Sequence, residues 1–287
     1  MLLLLQSLRP RQWVKNLIIL AALLFAERLF DSEALLQVLA AVLLFCGVSG
    51  AVYLLNDILD READSHHPLK QYRPIASGAL SVRNAAMAYG VLMAISLTGS
   101  FWLYPQFGWI VVIYAVMQMG YSLWLKHLVI IDLFIIAFGF VLRAIAGAVV
   151  IQVAISNWLL ICTILLSLFL ALCKRRSEIV RLDTEARHHR KILSQYGMSF
   201  LDQMISIVGS ATVVSYSLYT MSDETIAKFG TADLKYTIPL VLYGIFRYLY
   251  LVHQEKKGDA PERVLFSDPP LLGAVVLFAV MAALIVY

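Results

Sequence analysis

Residues 34–64 read ALLQVLAAVLLFCGVSGAVYLLNDILDREAD. The first part, 34–55, is an apolar run of the length a helix needs to cross bilayer hydrocarbon, about 20 residues. The run then passes directly into Asn56, Asp57, Asp60 and Asp64. Eight further stretches qualify as spans: 13–30, 85–103, 107–125, 128–154, 156–173, 203–221, 236–253 and 269–287. The first of these is the weakest, because Glu27 and Arg28 shorten its apolar core. The composition agrees. Of 287 residues 61% are apolar and only 15% charged, against roughly 45–50% and 25% in a soluble domain, and mean hydropathy is +0.79. A soluble enzyme, a disordered chain and a disulfide scaffold are thereby excluded. A β-barrel would show short alternating segments in place of long apolar runs. The expected fold is all-α: a polytopic membrane protein, a bundle of nine transmembrane helices. No repeat and no Gly/Ser or Pro linker divides it, so residues 1–287 read as a single domain.

The basic residues give the bundle a direction. Most of the 23 Lys and Arg residues lie in the N-terminal segment and in the loops after spans two, four, six and eight. The opposite loops hold only Arg28, Lys228 and Lys235. Positive residues stay in the cytoplasm, so the N-terminus is expected inside and Tyr287 outside. The two long loops, from about Asn56 to Arg83 and from about Lys174 to Phe200, then face the cytoplasm, where function is expected. The net charge of +4 reflects this topology and contact with anionic headgroups. No basic segment carries the interleaved aromatics of a nucleic-acid binder, so no nucleic-acid partner is expected. Cys46, Cys162 and Cys173 lie in or at the end of apolar runs, with no CxxC pair, and read as small buried hydrophobes. Met1–Leu5 precedes Arg9, Arg11 and Lys15, the reverse of a cleavable signal peptide.

If the second span continues as a helix through the acids, Asp57, Asp60 and Asp64 stand at i, i+3 and i+7, on one face. Asn56 lies beside them. Like charges at that spacing repel, so a cation is expected among them. Carboxylates aimed at one point suit a hard ion, and Mg²⁺ typically takes one or two carboxylates and completes its shell with water and substrate phosphates. The plainer alternative is a solvated helix end whose acids pair with Arg61 or Lys70. Downstream, Lys70 is followed by Arg73-Pro-Ile-Ala-Ser-Gly-Ala-Leu-Ser81. Pro74 and Gly78 make a turn, and Arg73 can fork onto phosphate oxygens. Acids for a metal followed by a basic turn for phosphate is what a Mg²⁺–diphosphate site needs. P-loop, HExxH and GxSxG motifs are absent.

NDILDREAD and RPIASGALS resemble the NDxxDxxxD motif and the Arg-Pro-x-x-Ser-Gly segment of the UbiA-type intramembrane prenyltransferase superfamily. Nine helices is also that superfamily's architecture. The resemblance implies a Mg²⁺-bound diphosphate at the cytoplasmic mouth of a helical cavity, with Asp57, Asp60 and Asp64 as metal ligands. It also places Tyr121, Ser122 and Lys126 at a substrate-facing position. For Lys126 the alternative is snorkelling to headgroups.

Where that superfamily carries a second DxxxD motif, this chain reads Lys174-Arg175-Arg176-Ser-Glu178-Ile-Val-Arg181-Leu-Asp183. The acids Glu178 and Asp183 have the wrong spacing, and the segment is mainly cationic. It suits an additional phosphate, or else it is only a positive-inside anchor. With LRPRQWVKN, YSLWLKHLVIIDLFIIAFGFVLRAIAG and GDAPERVLFSDPPLL, this departure resembles the decaprenyl-phosphate phosphoribosyltransferase family. The resemblance implies a donor, phosphoribosyl diphosphate, that carries a 5-phosphate as well as a diphosphate. The acceptor it implies is a polyprenyl phosphate lipid, and the product feeds cell-envelope arabinan synthesis in the bacterial inner membrane.

The expected reaction transfers 5-phosphoribose to the lipid phosphate and releases pyrophosphate. Asn56 orients the metal-bound leaving group. Arg73, Lys70 and Lys126 clamp donor phosphates, while Lys174, Arg175 and Arg176, beside Glu178, take the 5-phosphate or the lipid phosphate. Arg143 shares a face of the fifth span with Asp132. It either reaches the lipid phosphate or pairs with an acid on a neighbouring helix, since intramembrane charges face a cavity or a partner. The alternative enzyme is an aromatic polyprenyltransferase using a prenyl diphosphate. A transporter is the reading from another class, disfavoured because no half-repeat is visible. A homo-oligomer is left open.

Overall fold

The computed structural model describes residues 2–68, 70–181, 195–255, 258 and 260–287. Among these there is no strand. Eight long helices organise the chain: α1 (Ser32–Leu59), α2 (Val82–Leu103), α3 (Pro105–Leu123), α4 (Ile131–Val150), α5 (Asn157–Arg181), α6 (Met198–Met221), α7 (Ile238–His253) and α8 (Pro269–Val286). Seven of them, all but α7, are long and apolar enough to cross a membrane. Large apolar side chains point outward from them, among them Leu43, Trp102 and Leu284 at 71%, 89% and 76% exposure. That surface requires lipid around it. The protein is an integral membrane protein.

Two of the nine expected spans differ from expectation. Residues 13–30 do not form one helix. A 3-10 helix, Pro10–Leu20, runs into a short α-helix, Ala21–Phe25. The cause is polar: Asn16, fully buried, turns to Cys46 and Arg143, which fixes this segment by side-chain bonds in place of a regular helix. The eighth, α7, has 16 residues, about 24 Å at 1.5 Å per residue. The acidic motif also departs from expectation: the helix stops at Asp60 (φ −90°, ψ 7°) and restarts as the short helix Arg61–Ser65. In the other direction, α5 runs on through the basic segment to Arg181. Asp183 and the side chain of Arg181 lie outside the described residues.

The chain groups into two compact units, Met1–Ile135 with Leu142–Ala154, and Ile136–Val141 with Ile155–Tyr287. In the first, α1 is the centre. Phe45 and Phe107, both fully buried, meet with ring centroids 5.9 Å apart, and Tyr114 adds a second contact to Phe45 at 5.2 Å. The N-terminal segment lies so close to α4 that a Cβ on Gly147 would stand 2.2 Å from the Ile19 carbonyl oxygen; only glycine fits. In the second unit, Phe169 of α5 packs on Gly209 of α6 and on the ring of Tyr248, 5.8 Å away. Asp268 caps α8 by accepting from the Leu271 amide at 2.9 Å and receives a two-pronged bond from Arg247, at 3.1 and 2.7 Å. That pair ties α7 to the start of α8.

Candidate active site

The acids sit at and just beyond the C-terminal end of α1. Its 28 residues span about 42 Å, more than the roughly 30 Å of hydrocarbon, and Asp57 lies in its last turn. Asp57 and Asp64 are nearly fully buried, at 2% and 3% exposure. Such burial is sustainable only with cationic partners. Both carboxylates converge on one atom: Arg73 Nη1 donates to Asp57 Oδ1 at 3.1 Å and to Asp64 Oδ2 at 2.5 Å. Lys70 Nζ stands 3.7 Å from Asp64 Oδ1. Asp60 faces elsewhere, receiving Lys126 Nζ at 2.7 Å. The break at Asp60 explains this: Asp57 and Asp64 share a face, and Asp60 turns away from it. The plainer pairing with Lys70 is thus present at Asp64.

Arg73 is held in place by its own turn. Ile75, fully buried, packs with Leu54 and Ala85. Ser77 and Leu80 donate their amides to the Arg73 and Pro74 carbonyls at 2.9 and 2.7 Å. Gly78 adopts φ +79°, a conformation glycine takes without steric cost. The apolar residue inside the RPIASG turn is therefore the anchor that aims its arginine at the acids.

A residue that the sequence reading did not place in the site completes it. Arg9 donates from Nη2 to Asp57 Oδ1 and lies over the Tyr53 ring, 4.9 Å from its centroid. Its backbone is left-handed, φ 53° and ψ 62°, a conformation that costs a non-glycine residue roughly 1–2 kcal/mol. A crevice of about 230 Å³ beside the acids is lined by Gln6, Ser7, Arg9, Asp57, Tyr72, Arg73 and Pro74. The LRPRQ stretch signals a charged residue before a proline, but nothing local points it at an acid 48 positions away.

Asn56 is half-buried one residue before Asp57, its carbonyl accepting from the Asp60 amide at 2.9 Å. Tyr121 is half-buried near the end of α3, beside the buried Ser122. Arg143, deep in the same unit, donates from Nε to Asn16 Oδ1 at 2.7 Å and from Nη2 to the Tyr114 hydroxyl at 2.8 Å. Its guanidinium lies 4.7 Å from the Tyr114 ring centroid. In the second unit, Arg175 is buried and donates to Glu178 at 2.7 Å, with Lys174 3.9 Å from the same carboxylate. Arg176 donates to Asp202 at 2.6 Å, and His253 Nε2 stands 3.3 Å from that oxygen. The three cations Lys174, Arg175 and Arg176 are therefore laced to acids on their own unit, and of the three Lys174 is the most exposed, at 42%.

Among the described residues, no three His, Cys, Asp or Glu side chains are gathered around one point. The donor chemistry nonetheless fits Mg²⁺. Asp57 and Asp64 supply hard oxygens and already converge on a single cationic nitrogen, which marks a place where positive charge is required. Two carboxylates plus water and phosphate is that ion's usual shell.

Residues 16–268 match the UbiA prenyltransferase family. This chain belongs to that family. The similar proteins of the UbiA family include the decaprenyl-phosphate phosphoribosyltransferase of Corynebacterium glutamicum, 35% identical over 93% of this chain and 81% of that protein. The protein of the same name from Mycolicibacterium smegmatis is 33% identical over 92% of this chain and 86% of its own length. The fold is shared with a UbiA homolog from Archaeoglobus fulgidus solved with GPP and Mg²⁺ bound: TM-score 0.74 over 99% of each chain, at 18% identity.

Proposed function

We propose that this UbiA-family enzyme transfers the 5-phosphoribosyl group of phosphoribosyl diphosphate to the phosphate of a polyprenyl lipid and releases pyrophosphate. The observation that carries the reading is the convergence of two nearly buried carboxylates, Asp57 and Asp64, on Arg73, in a chain similar along most of its length to decaprenyl-phosphate phosphoribosyltransferases. Asp57 and Asp64 would hold Mg²⁺, with Asp60 beside them on Lys126, and the chemistry the ion would supply is neutralisation of the charge that builds on a leaving diphosphate. Arg73, Lys70 and Lys126 pair with donor phosphates: Lys70 and Lys126 each exchange a carboxylate for a phosphate oxygen, and Arg73, held on the acids, offers its remaining N–H groups. Asn56 orients the leaving group, and Tyr121 lines the donor's place. A lipid phosphate oxygen attacks C1 of the ribose as the C1–O bond to the diphosphate breaks, through an oxocarbenium-like centre. The attacking phosphate is already an anion, so no side chain has to take a proton, and C1 inverts. The role proposed for Lys174, Arg175 and Arg176, beside Glu178, is to take the 5-phosphate or the lipid phosphate. Arg143 serves the lipid phosphate or, as its bonds to Asn16 and Tyr114 favour, holds the N-terminal segment.

The reading keeps nine crossings in one domain, with Pro10–Phe25 and α7 as the two short ones, the N-terminus and the acids cytoplasmic, and Tyr287 outside.

The test is direct: purified protein, polyprenyl phosphate and radiolabelled phosphoribosyl diphosphate, with and without Mg²⁺, beside Asp57→Asn. Mg²⁺-dependent label in the lipid fraction, lost in the variant, is expected. No lipid label, together with turnover of a prenyl diphosphate and an aromatic acceptor, would overturn it.

A further inference from the structure

We infer that Arg9 is an exchangeable placeholder: it neutralises Asp57 while the divalent ion is absent and moves onto the diphosphate when the ion takes that carboxylate. The inference rests on the diphosphate-donor reading above and adds to it a residue outside the acidic and RPIASG motifs.

Two nearly buried carboxylates, Asp57 and Asp64, meet three cations, Arg9, Arg73 and Lys70. A divalent ion arriving among them adds two positive charges at the same oxygens. Asp57 Oδ1 already accepts from both Arg9 and Arg73, so like-charge repulsion requires a guanidinium to leave. Arg73 is the less free of the two. It also binds Asp64, and its backbone is set by the buried Ile75 and the amide bonds of its turn.

Arg9 sits at a strained point between two fixed ones. On one side Leu4 and Leu8 pack against the Leu54–Ile75–Ala85 cluster. On the other, Trp13 Nε1 donates back to the Leu8 carbonyl at 3.2 Å and Asn16 is bound to Arg143 at 2.7 Å. A left-handed arginine before a proline persists only because its surroundings impose it, and such strain concentrates at sites of function. The imposed backbone leaves a long side chain free to swing within the crevice it lines with Asp57, Tyr72 and Arg73. A guanidinium released there faces an entering diphosphate, whose oxygens it can grip in fork geometry.

The full chain in detergent tests this with Mn²⁺ as the probe ion, its free concentration read by electron paramagnetic resonance. Inorganic pyrophosphate is then titrated into Mn²⁺-saturated protein. In Arg9→Gln, Mn²⁺ is expected to bind about tenfold tighter and pyrophosphate about tenfold weaker, the scale of one lost charge-assisted hydrogen bond on each side. Arg9→Lys, which keeps the charge and loses the fork, falls between; should the Gln variant not fold, the Lys variant decides by the same opposed directions. A merely structural role would weaken both affinities. Unchanged or weaker Mn²⁺ binding, no Mn²⁺ binding by the unsubstituted protein, or tighter Mn²⁺ with unchanged pyrophosphate would each overturn the exchange. Neither arm uses phosphoribosyl diphosphate, so an error in the donor's identity shows in the labelling experiment and leaves this one standing.

Discussion

Arg73 bridges two carboxylates that are almost out of contact with water, so its removal is a sharper probe of the site than removal of either acid. Arg73→Ala leaves Asp57 with Arg9 alone and Asp64 with Lys70 alone, and the loss of the bridging cation between two buried carboxylates should cost about 3 kcal/mol. Millimolar Mg²⁺ should restore at least half of the lost melting temperature, because a divalent ion can stand where the guanidinium stood. A variant that melts low and ignores Mg²⁺ would mean that the convergence point is not a cation site. Arg143 asks a different question. Its Nε and Nη2 reach Asn16 and Tyr114 together, which the single ammonium of a lysine cannot do. Arg143→Lys should therefore lose about 1.5 kcal/mol of stability with the KM for polyprenyl phosphate nearly unchanged. A raised KM at unchanged stability would instead return Arg143 to the lipid phosphate. The two arginines also mark what was legible in the sequence. Asp57, Asp64, Lys70 and Arg73 lie within a few turns of one another, so motif spacing finds them. Arg9 meets Asp57 across 48 residues and Arg143 meets Asn16 across 127, pairings that no local pattern encodes.

At the scale of elements, the apolar runs give the long helices because in lipid each backbone group must be satisfied within its own segment. Their ends were harder to read. No Gly or Pro marks the break at Asp60, which arises where Asp57 and Asp64 turn to Arg73 and Asp60 turns to Lys126. Nor does hydropathy show that α5 continues past Cys173; pairs at i+3 and i+4 from Arg175 and Lys174 to Glu178 carry it on. The N-terminal segment is the element whose position matters most, since it carries Arg9. It is seated against Gly147, where an added methyl would meet the Ile19 carbonyl at 2.2 Å. Backbone cannot yield there as a side-chain tip can. Gly147→Ala is therefore expected to displace the segment and cut transfer activity at least tenfold. Gly90→Ala, which meets nothing within 4 Å, should leave activity unchanged and gain about 1 kcal/mol from helix propensity. Equal activity in the two variants would show that the seat is not needed.

For the whole molecule, the distribution of Lys and Arg and the lengths of the helices make different demands. Charge bias calls for nine crossings, while length and apolarity qualify seven helices. The two short segments are pinned by polar side chains, Asn16 to Arg143 and Arg247 to Asp268, and a segment held in this way can cross without a long regular helix, because neighbouring protein satisfies its polar groups. Single cysteines in a background lacking Cys46, Cys162 and Cys173 separate the two counts. Glu33, in the first turn of α1, and Asp233 are exposed on the side that nine crossings place outside, and Gln71 and Gln254 are exposed on the side placed inside. A membrane-impermeant maleimide should label Glu33→Cys and Asp233→Cys on intact cells, and Gln71→Cys and Gln254→Cys only after permeabilisation. If α7 did not cross, Asp233→Cys and Gln254→Cys would label from the same side. If Pro10–Phe25 did not cross, a cysteine at Gln6 would label with Glu33→Cys. Labelling of Gln71→Cys on intact cells would place the Asp57–Asp64 site on the outer face, away from any cytoplasmic diphosphate donor, and would remove the proposed reaction along with the topology.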